Sequence, residues 1–221
     1  PLDMVVEYVE KGLRQTGYDE VALSSLSSSS YSRIRPLVEE LTKRYSGNNV
    51  SISLPSLRCD MFSLEILDKL YDVKRSGLTF ALEAGTEKLR SLIGKPISDE
   101  NIINILKSAK EHGWQLVKLY FMIGLPGEDD GDIDGIINLL KNLKRNVKGL
   151  GFNVSISPFV PKAQTAFQWS AMDSFESWKS KKEKLLKNSP IKLKFHDLRT
   201  SFLEGVFARG DRKLGLVVKR A

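Results

Sequence analysis

Five stretches of this chain alternate bulky apolar residues with small or polar ones: Val21–Ser24, Val50–Leu54, Leu78–Glu83, Val117–Met122 and Phe152–Ser157. Successive side chains of a strand point to opposite faces, so each stretch predicts a strand with one apolar face. The opposite faces read Ala22, Ser24; Ser51, Ser53; Thr79, Ala81, Glu83; Lys118, Tyr120, Met122; and Asn153, Ser155, Ser157. Helix-period stretches follow the strands, which predicts parallel strands with covering helices. An ordinary (β/α) barrel fills its interior with branched apolar side chains. Here, with helices on the apolar face, the small and polar face would leave room for a polar ligand.

The helices are expected over about Asp3–Gln15, Ser32–Tyr45, Ser63–Gly77, Ser98–Gly113, from Asp129 to about Arg145, and over Ser174–Lys187. Ser63 and Ser98 are candidate N-caps, and Gly77 and Gly113 suit left-handed C-terminal caps. Asp129, Asp130, Asp132 and Asp134 at one helix start, with Lys141, Lys144 and Arg145 at its end, complement the helix dipole. Ile191–Phe195 alternates like a further strand, and about Thr200–Arg220 reads as two short helices broken at Gly210. The expected division is residues 1–170 as barrel core and 171–221 as a basic C-terminal extension of helix, strand and short helices. No strand precedes the first helix, so the chain is expected to be part of a longer polypeptide.

Composition narrows the class. The chain has 221 residues, 41% of them hydrophobic, which suits one large α/β domain or part of one. It has no apolar run long enough to span a membrane and no signal-peptide pattern. One cysteine, Cys59, excludes an internal disulfide and fits a reducing cytoplasm. It also excludes a cysteine-ligated metal centre built from this chain alone. The net charge of +7 is uneven: residues 141–221 carry 18 Lys/Arg against 6 Asp/Glu. Such asymmetry is a prompt to look for an acidic partner such as RNA, but the simpler expectation is that Lys179, Lys181, Lys182, Lys184 and Lys187 solvate one helix face.

Chemistry is concentrated at three places. Tyr120 to Glu128 runs from a strand into a Gly124-Leu125-Pro126-Gly127-Glu128 turn. Its glycines let backbone N–H and C=O groups approach a ligand such as an adenine edge, and they equally suit a tight strand–helix turn. Glu83 falls on the open parity of its strand, where a carboxylate could accept from an ammonium or paired hydroxyls, or pair with Lys118. Arg58 and Asp60, around Cys59, form either a clamp for a ligand carboxylate or a solvated loop pair. His112 reads as a helix C-terminal cap. His196-Asp197 reads as a polar dyad, without the Ser or Cys partner of a hydrolytic triad. Neither GxGxxG nor a P-loop occurs.

In order and spacing these segments resemble the radical S-adenosylmethionine (radical SAM) enzymes, in particular the core of tRNA methylthiotransferases and cobalamin-associated members. Ser56-Leu57-Arg58-Cys59-Asp60, Gly77 to Thr86 with its Glu83-Ala84-Gly85-Thr86, Lys95, and Met122 to Glu128 carry the likeness, which covers essentially the whole chain. Ser157-Pro158-Phe159-Val160-Pro161-Lys162 and Phe202 to Arg212 extend it toward an uncharacterised branch. Two departures stand out. The family's CxxxCxxC loop, which binds a [4Fe–4S] cluster, is absent and would lie before Pro1. Ser24-Ser25-Leu26-Ser27 stands in place of a glycine-rich GGE segment.

The resemblance implies a partial (β/α)6 TIM-type barrel, strands two to six, with a C-terminal α/β extension. It implies S-adenosylmethionine as cofactor, a [4Fe–4S] cluster in the parent protein, and cobalamin as an option. A 5′-deoxyadenosyl radical would then abstract hydrogen from a substrate. Cofactor contacts are expected from Ser24, Ser25, Ser53, Glu83, Lys118, Tyr120, Met122, Gly124, Leu125, Pro126, Phe159 and Val160, with Arg58 and Asp60 at the substrate rim. No metal ligand is assigned, and the chain alone is expected to be inactive. The competing reading is a basic module that binds RNA or an acidic carrier without catalysis of its own.

Overall fold

The computed structural model describes residues 1–24, 31–45, 47–48, 50–53 and 78–221. The expected Ser63–Gly77 helix, Cys59, and the candidate residues Ser25, Arg58 and Asp60 lie outside the described residues. In chain order the elements are α1 (Leu2–Thr16), β1 (Glu20–Ala22), α2 (Ile34–Tyr45), β2 (Ser51–Ser53), β3 (Leu78–Glu83), α3 (Glu87–Leu92) and α4 (Asp99–Glu111). They continue with β4 (Leu116–Ile123), α5 (Asp130–Asn146), β5 (Gly151–Pro158), α6 (Phe175–Asn188), β6 (Leu193–Phe195), α7 (Leu198–Arg209) and α8 (Leu214–Arg220). The fold is α/β. β1 and β2 pair in parallel, with Ala22 opposite Ser53, and β3-β4-β5-β6 form a four-stranded sheet. β6 joins that sheet in parallel register, Val154 opposite Leu193 and Ile156 opposite Phe195. Among the described residues no helix is long and apolar enough to cross a membrane.

The chain divides into two compact units. The first comprises residues 1–81, 95–119 and 143–152; the second comprises 82–94, 120–142 and 153–221. In the first, the apolar stripe of α1 (Leu2, Val6, Val9) packs with Leu37 and Leu41 of α2 and Ile52 of β2. Gly17 ends α1 in a left-handed conformation, donating to the Leu13 carbonyl at 2.9 Å. Ser98 caps α4 by accepting from Asn101 N at 3.1 Å. His112 is the C-terminal cap residue of α4, with Nδ1 2.7 Å from the Ser108 carbonyl.

Burial alternates along the longer strands as the sequence pattern requires. Leu78, Phe80 and Leu82, then Val117, Leu119, Phe121 and Ile123, then Val154 and Ile156, are all buried. Thr79, Ala81 and Glu83, Met122, and Asn153, Ser155 and Ser157 between them are only half-buried, while Lys118 and Tyr120 are exposed. β2 departs from the expectation: Ser51 and Ile52 are both buried, so Ser51 does not lie on an open face. A strand covered on both sides loses the inside–outside contrast that alternation encodes.

Candidate functional site

The second unit contains the C-terminal ends of β3, β4 and β5, where working residues of parallel α/β sheets gather. At the end of β3, Glu83 adopts φ 66°, unusual for a residue with a side chain, and the Ala84 N–H reaches back to the Leu82 carbonyl at 2.8 Å. That tight turn is held from three sides. The buried Arg90 guanidinium donates to the Ala84 carbonyl at 3.2 Å. Thr86 caps α3, accepting from Leu89 N at 3.2 Å, and its hydroxyl donates to the buried Asp132 carboxylate of α5. Gly85 lies against the α5 backbone so closely that a Cβ would fall within 2.6 Å of the Asp132 carbonyl and overlap the Ile136 nitrogen. Asp132 and Asp129 cap each other reciprocally: Asp129 N donates to Asp132 at 3.0 Å, and Asp132 N to Asp129 at 3.1 Å.

At the end of β4, the turn takes left-handed geometry at Gly124 (φ 80°) and Gly127 (φ 79°). The Gly124 N–H donates to Glu128 Oε1 at 2.8 Å, closing the turn on itself. The Glu128 side chain is 2% exposed, and its charge meets Lys181 Nζ of α6 at 2.7 Å. Lys181 also lies 2.6 Å from Asp173, which accepts from the Ser177 hydroxyl at 2.8 Å. Burial pushes the Glu128 carboxyl above its ordinary value, more than Lys181 and the Gly124 N–H pull it down. Burial acts the same way on Asp173, but hydrogen bonds from Lys181 and Ser177 outweigh it and hold that carboxyl low. A cavity of about 290 Å³ is lined by Gly124, Leu125, Pro126, Glu128, Asp173 and Lys181, among others.

A second cavity, about 430 Å³, opens beside the ends of β4, β5 and β6. Met122, Ser157, Phe159, Val160, Phe167 and His196 line it, together with Lys162 and Glu204. Phe159 and Phe167 meet edge to face, 5.9 Å between centroids, and Phe159 belongs to a buried cluster with Ala84, Leu89 and Leu125. Lys162 and Glu204 form an ion pair at its rim. His196 Nδ1 lies 3.0 Å from the Ser201 hydroxyl, while Asp197 caps α7 through Thr200 N at 2.8 Å. The expected His196-Asp197 dyad is therefore divided between two tasks.

Of the expected cofactor residues, the second unit contains Glu83, Tyr120, Met122, Gly124, Leu125, Pro126, Phe159 and Val160. Met122, Phe159 and Val160 share the larger cavity, whereas Gly124, Leu125 and Pro126 line the smaller one. The Leu125 side chain is buried in the apolar cluster, and its carbonyl accepts from the Glu128 N–H at 3.0 Å. Ser24, Ser53 and Lys118 belong to the first unit. Ser24 there borders an apolar cavity of about 400 Å³ with Val5, Tyr8 and Tyr31. Lys95 donates to the Ala81 carbonyl of β3 at 3.4 Å.

Sequence reasoning missed α3, Arg90, Asp132 and Lys181. The signal for Lys181 was available: Trp178, Lys181 and Leu185 are spaced for one helix face, and Trp178 and Leu185 are fully buried.

Residues 1–140 match the family model of the radical SAM superfamily. An uncharacterised protein of Methanocaldococcus jannaschii is 35% identical over 214 residues, covering 96% of this chain and 46% of that protein. The ribosomal protein uS12 methylthiotransferase RimO of Treponema denticola is 27% identical over 151 residues, covering 64% of this chain and 32% of its own length. The chain thus spans less than half the length of these relatives. The crystal structure of Streptococcus suis SuiB bound to S-adenosylmethionine shares the fold, with TM-score 0.53 at 12% identity over 89% of this chain and 42% of SuiB. The chain therefore belongs to the radical SAM superfamily.

Proposed function

We propose that the ends of β3, β4 and β5 in the second unit bind the nucleoside part of S-adenosylmethionine, as the cofactor-holding portion of a radical SAM enzyme. The observation that carries this reading is the alternation of burial along the strands. It leaves Glu83, Met122, Ser155 and Ser157 half-buried and Tyr120 exposed on one strand face while the aliphatic face is sealed. Glu83 would accept hydrogen bonds from ribose hydroxyls or the cofactor's ammonium group. The strained turn at Glu83, over-determined by Arg90, Thr86 and Gly85, fits a carboxylate held ready in one orientation. Met122, Phe159 and Val160 would offer apolar walls to the adenine ring, and the Gly124 and Pro126 carbonyls would offer acceptors to its edge.

When bound, S-adenosylmethionine supplies the 5′-deoxyadenosyl group on which the family's hydrogen abstraction depends. The chain's residues bind and orient that group and exclude water from it. They do not fit a [4Fe–4S] cluster: such clusters are held by several cysteine thiolates, and this chain has one cysteine. The cluster, the substrate, the abstraction step and any use of cobalamin belong to the proposed whole protein. The competing reading, a basic module for RNA or an acidic carrier, draws less support. Lys181 and Lys184 of α6 are engaged by Glu128, Asp173 and Asp134, and Lys182 lies over the Phe195 ring at 5.3 Å. Lys179 and Lys187 remain exposed.

The test is thermal and calorimetric titration with S-adenosylmethionine and S-adenosylhomocysteine. Ligand at 100 times its Kd stabilises by about 2.7 kcal/mol, and Glu83→Ala should abolish the effect. Absence of stabilisation by either ligand, or full retention in Glu83→Ala, would refute the assignment.

A further inference from the structure

The nucleoside-facing turn at the end of β4 depends on a residue 53 positions beyond it in sequence. Gly124 to Glu128 follows the end of β4 at Ile123 with left-handed geometry at both glycines. Two contacts close it on itself: the Gly124 N–H donates to Glu128 Oε1 at 2.8 Å, and the Glu128 N–H donates to the Leu125 carbonyl at 3.0 Å. The Glu128 carboxylate carries a full charge almost wholly removed from water, a placement that is costly unless the charge is paired. The pairing comes from α6. Lys181 Nζ meets the same Oε1 at 2.7 Å and is itself fixed by Asp173 at 2.6 Å, just before the Ser174 cap of that helix. α6 also presses on the start of the turn: a Cβ at Gly124 would lie 2.6 Å from Trp178 Nε1 and 2.9 Å from Asp173 Cβ. Trp178 Nε1 has no acceptor among the described residues, so this contact is retained at the expense of an unsatisfied buried donor.

We infer that Lys181 is a positioning residue of the nucleoside site, clamping the Gly124–Glu128 turn to α6 so that its backbone is preorganised for the ligand. The inference rests on the function proposed above. It makes α6 part of the binding apparatus, with Lys181 acting through Glu128 rather than touching the ligand. A merely structural salt bridge would affect folding stability alone. A positioning residue changes affinity in molecules that are fully folded, because a turn left to find its own path must be ordered at each binding event.

The experiment measures S-adenosylmethionine affinity by calorimetry, at a temperature where circular dichroism shows each protein folded. The variants are Lys181→Met, Lys181→Arg, and the double change Lys181→Met with Glu128→Gln. The double variant removes the stranded carboxylate yet keeps an oxygen for the Gly124 N–H, so it stays folded even where Lys181→Met alone does not. Both variants without a cation should bind about tenfold more weakly, the scale of ~1.4 kcal/mol in lost preorganisation. Lys181→Arg should recover most of the loss. Wild-type affinity in the folded double variant overturns the inference and leaves the cofactor site intact. Failure of the wild-type chain to bind S-adenosylmethionine or S-adenosylhomocysteine overturns the site and the inference together.

Discussion

Gly85→Ala should be among the most disruptive single-methyl additions in this chain. Gly85 follows the Glu83 turn, where a Cβ would lie 2.6 Å from both the Asp132 carbonyl oxygen and the Gly135 carbonyl carbon, besides overlapping the Ile136 nitrogen. These obstacles are backbone atoms of a helix, so no side chain can rotate out of the way. Restoring a separation of about 3.5 Å from the Ile136 nitrogen, which the Cβ would approach to 2.1 Å, requires β3's exit and α5 to part by roughly 1.4 Å. Overpacking of this kind costs about 1–3 kcal/mol. The displacement also pulls Thr86 from the Asp132 carboxylate, a charge-assisted bond worth about 1.5–3 kcal/mol. Together a loss of about 2.5–6 kcal/mol is expected in urea unfolding followed by circular dichroism. In any fraction that remains folded, S-adenosylmethionine affinity should fall too, because the Glu83 turn moves with Gly85. A loss below about 1 kcal/mol would refute the close-crossing account of this turn.

Gly12→Ala is the opposite case: its Cβ meets nothing within 4 Å in the middle of α1, so thermal unfolding should show a gain of about 0.5–1 kcal/mol. Ser98→Ala removes the acceptor for Asn101 N and should cost about 0.5–2 kcal/mol in urea unfolding. Asp173 is held below its ordinary 3.8, so the native state binds fewer protons there than the unfolded chain. Its contribution is present above that value and is lost as pH falls through the lower folded one. Asp173→Asn should therefore destabilise at pH 7 and converge with wild type near the acid limit; a constant difference across the titration would contradict this. Glu128 has the reverse sign, its folded value lying above 4.5, so protonating it favours the fold and stabilisation is lost as pH rises through that folded value. Acid–base unfolding curves of Glu128→Gln should lack this component.

Local pattern carried the fold's elements because hydrogen bonding and side-chain direction within a strand or helix depend on neighbours. The period-two stretches predicted β3, β4 and β5 nearly to the residue, and Ser98 marked the start of α4 where the structure has its cap. The short helix α3 escaped notice, since Glu87–Leu92 is six residues long and is held by a cap and the Arg90 contact rather than by an amphipathic repeat. Likewise, the Glu83 and Gly124–Glu128 segments stood out as turns with chemistry, but the groups that hold them did not. Asp132 read as a dipole-compensating charge and Lys181 as one of several solvated lysines.

What the sequence determined by itself, then, is which faces of β3, β4 and β5 are sealed and which are left polar, because alternation is a local property of the extended chain. Tertiary structure decided how the Glu83 and Gly124–Glu128 turns are held. Thr86 meets Asp132 across 46 residues, and Lys181 reaches Glu128 only when α6 packs beside β4. Such pairings depend on the packing of elements distant in sequence, where charge and glycine spacing carry no periodic signal. A buried carboxylate and a glycine without space for a methyl group become visible only once the helices are in place.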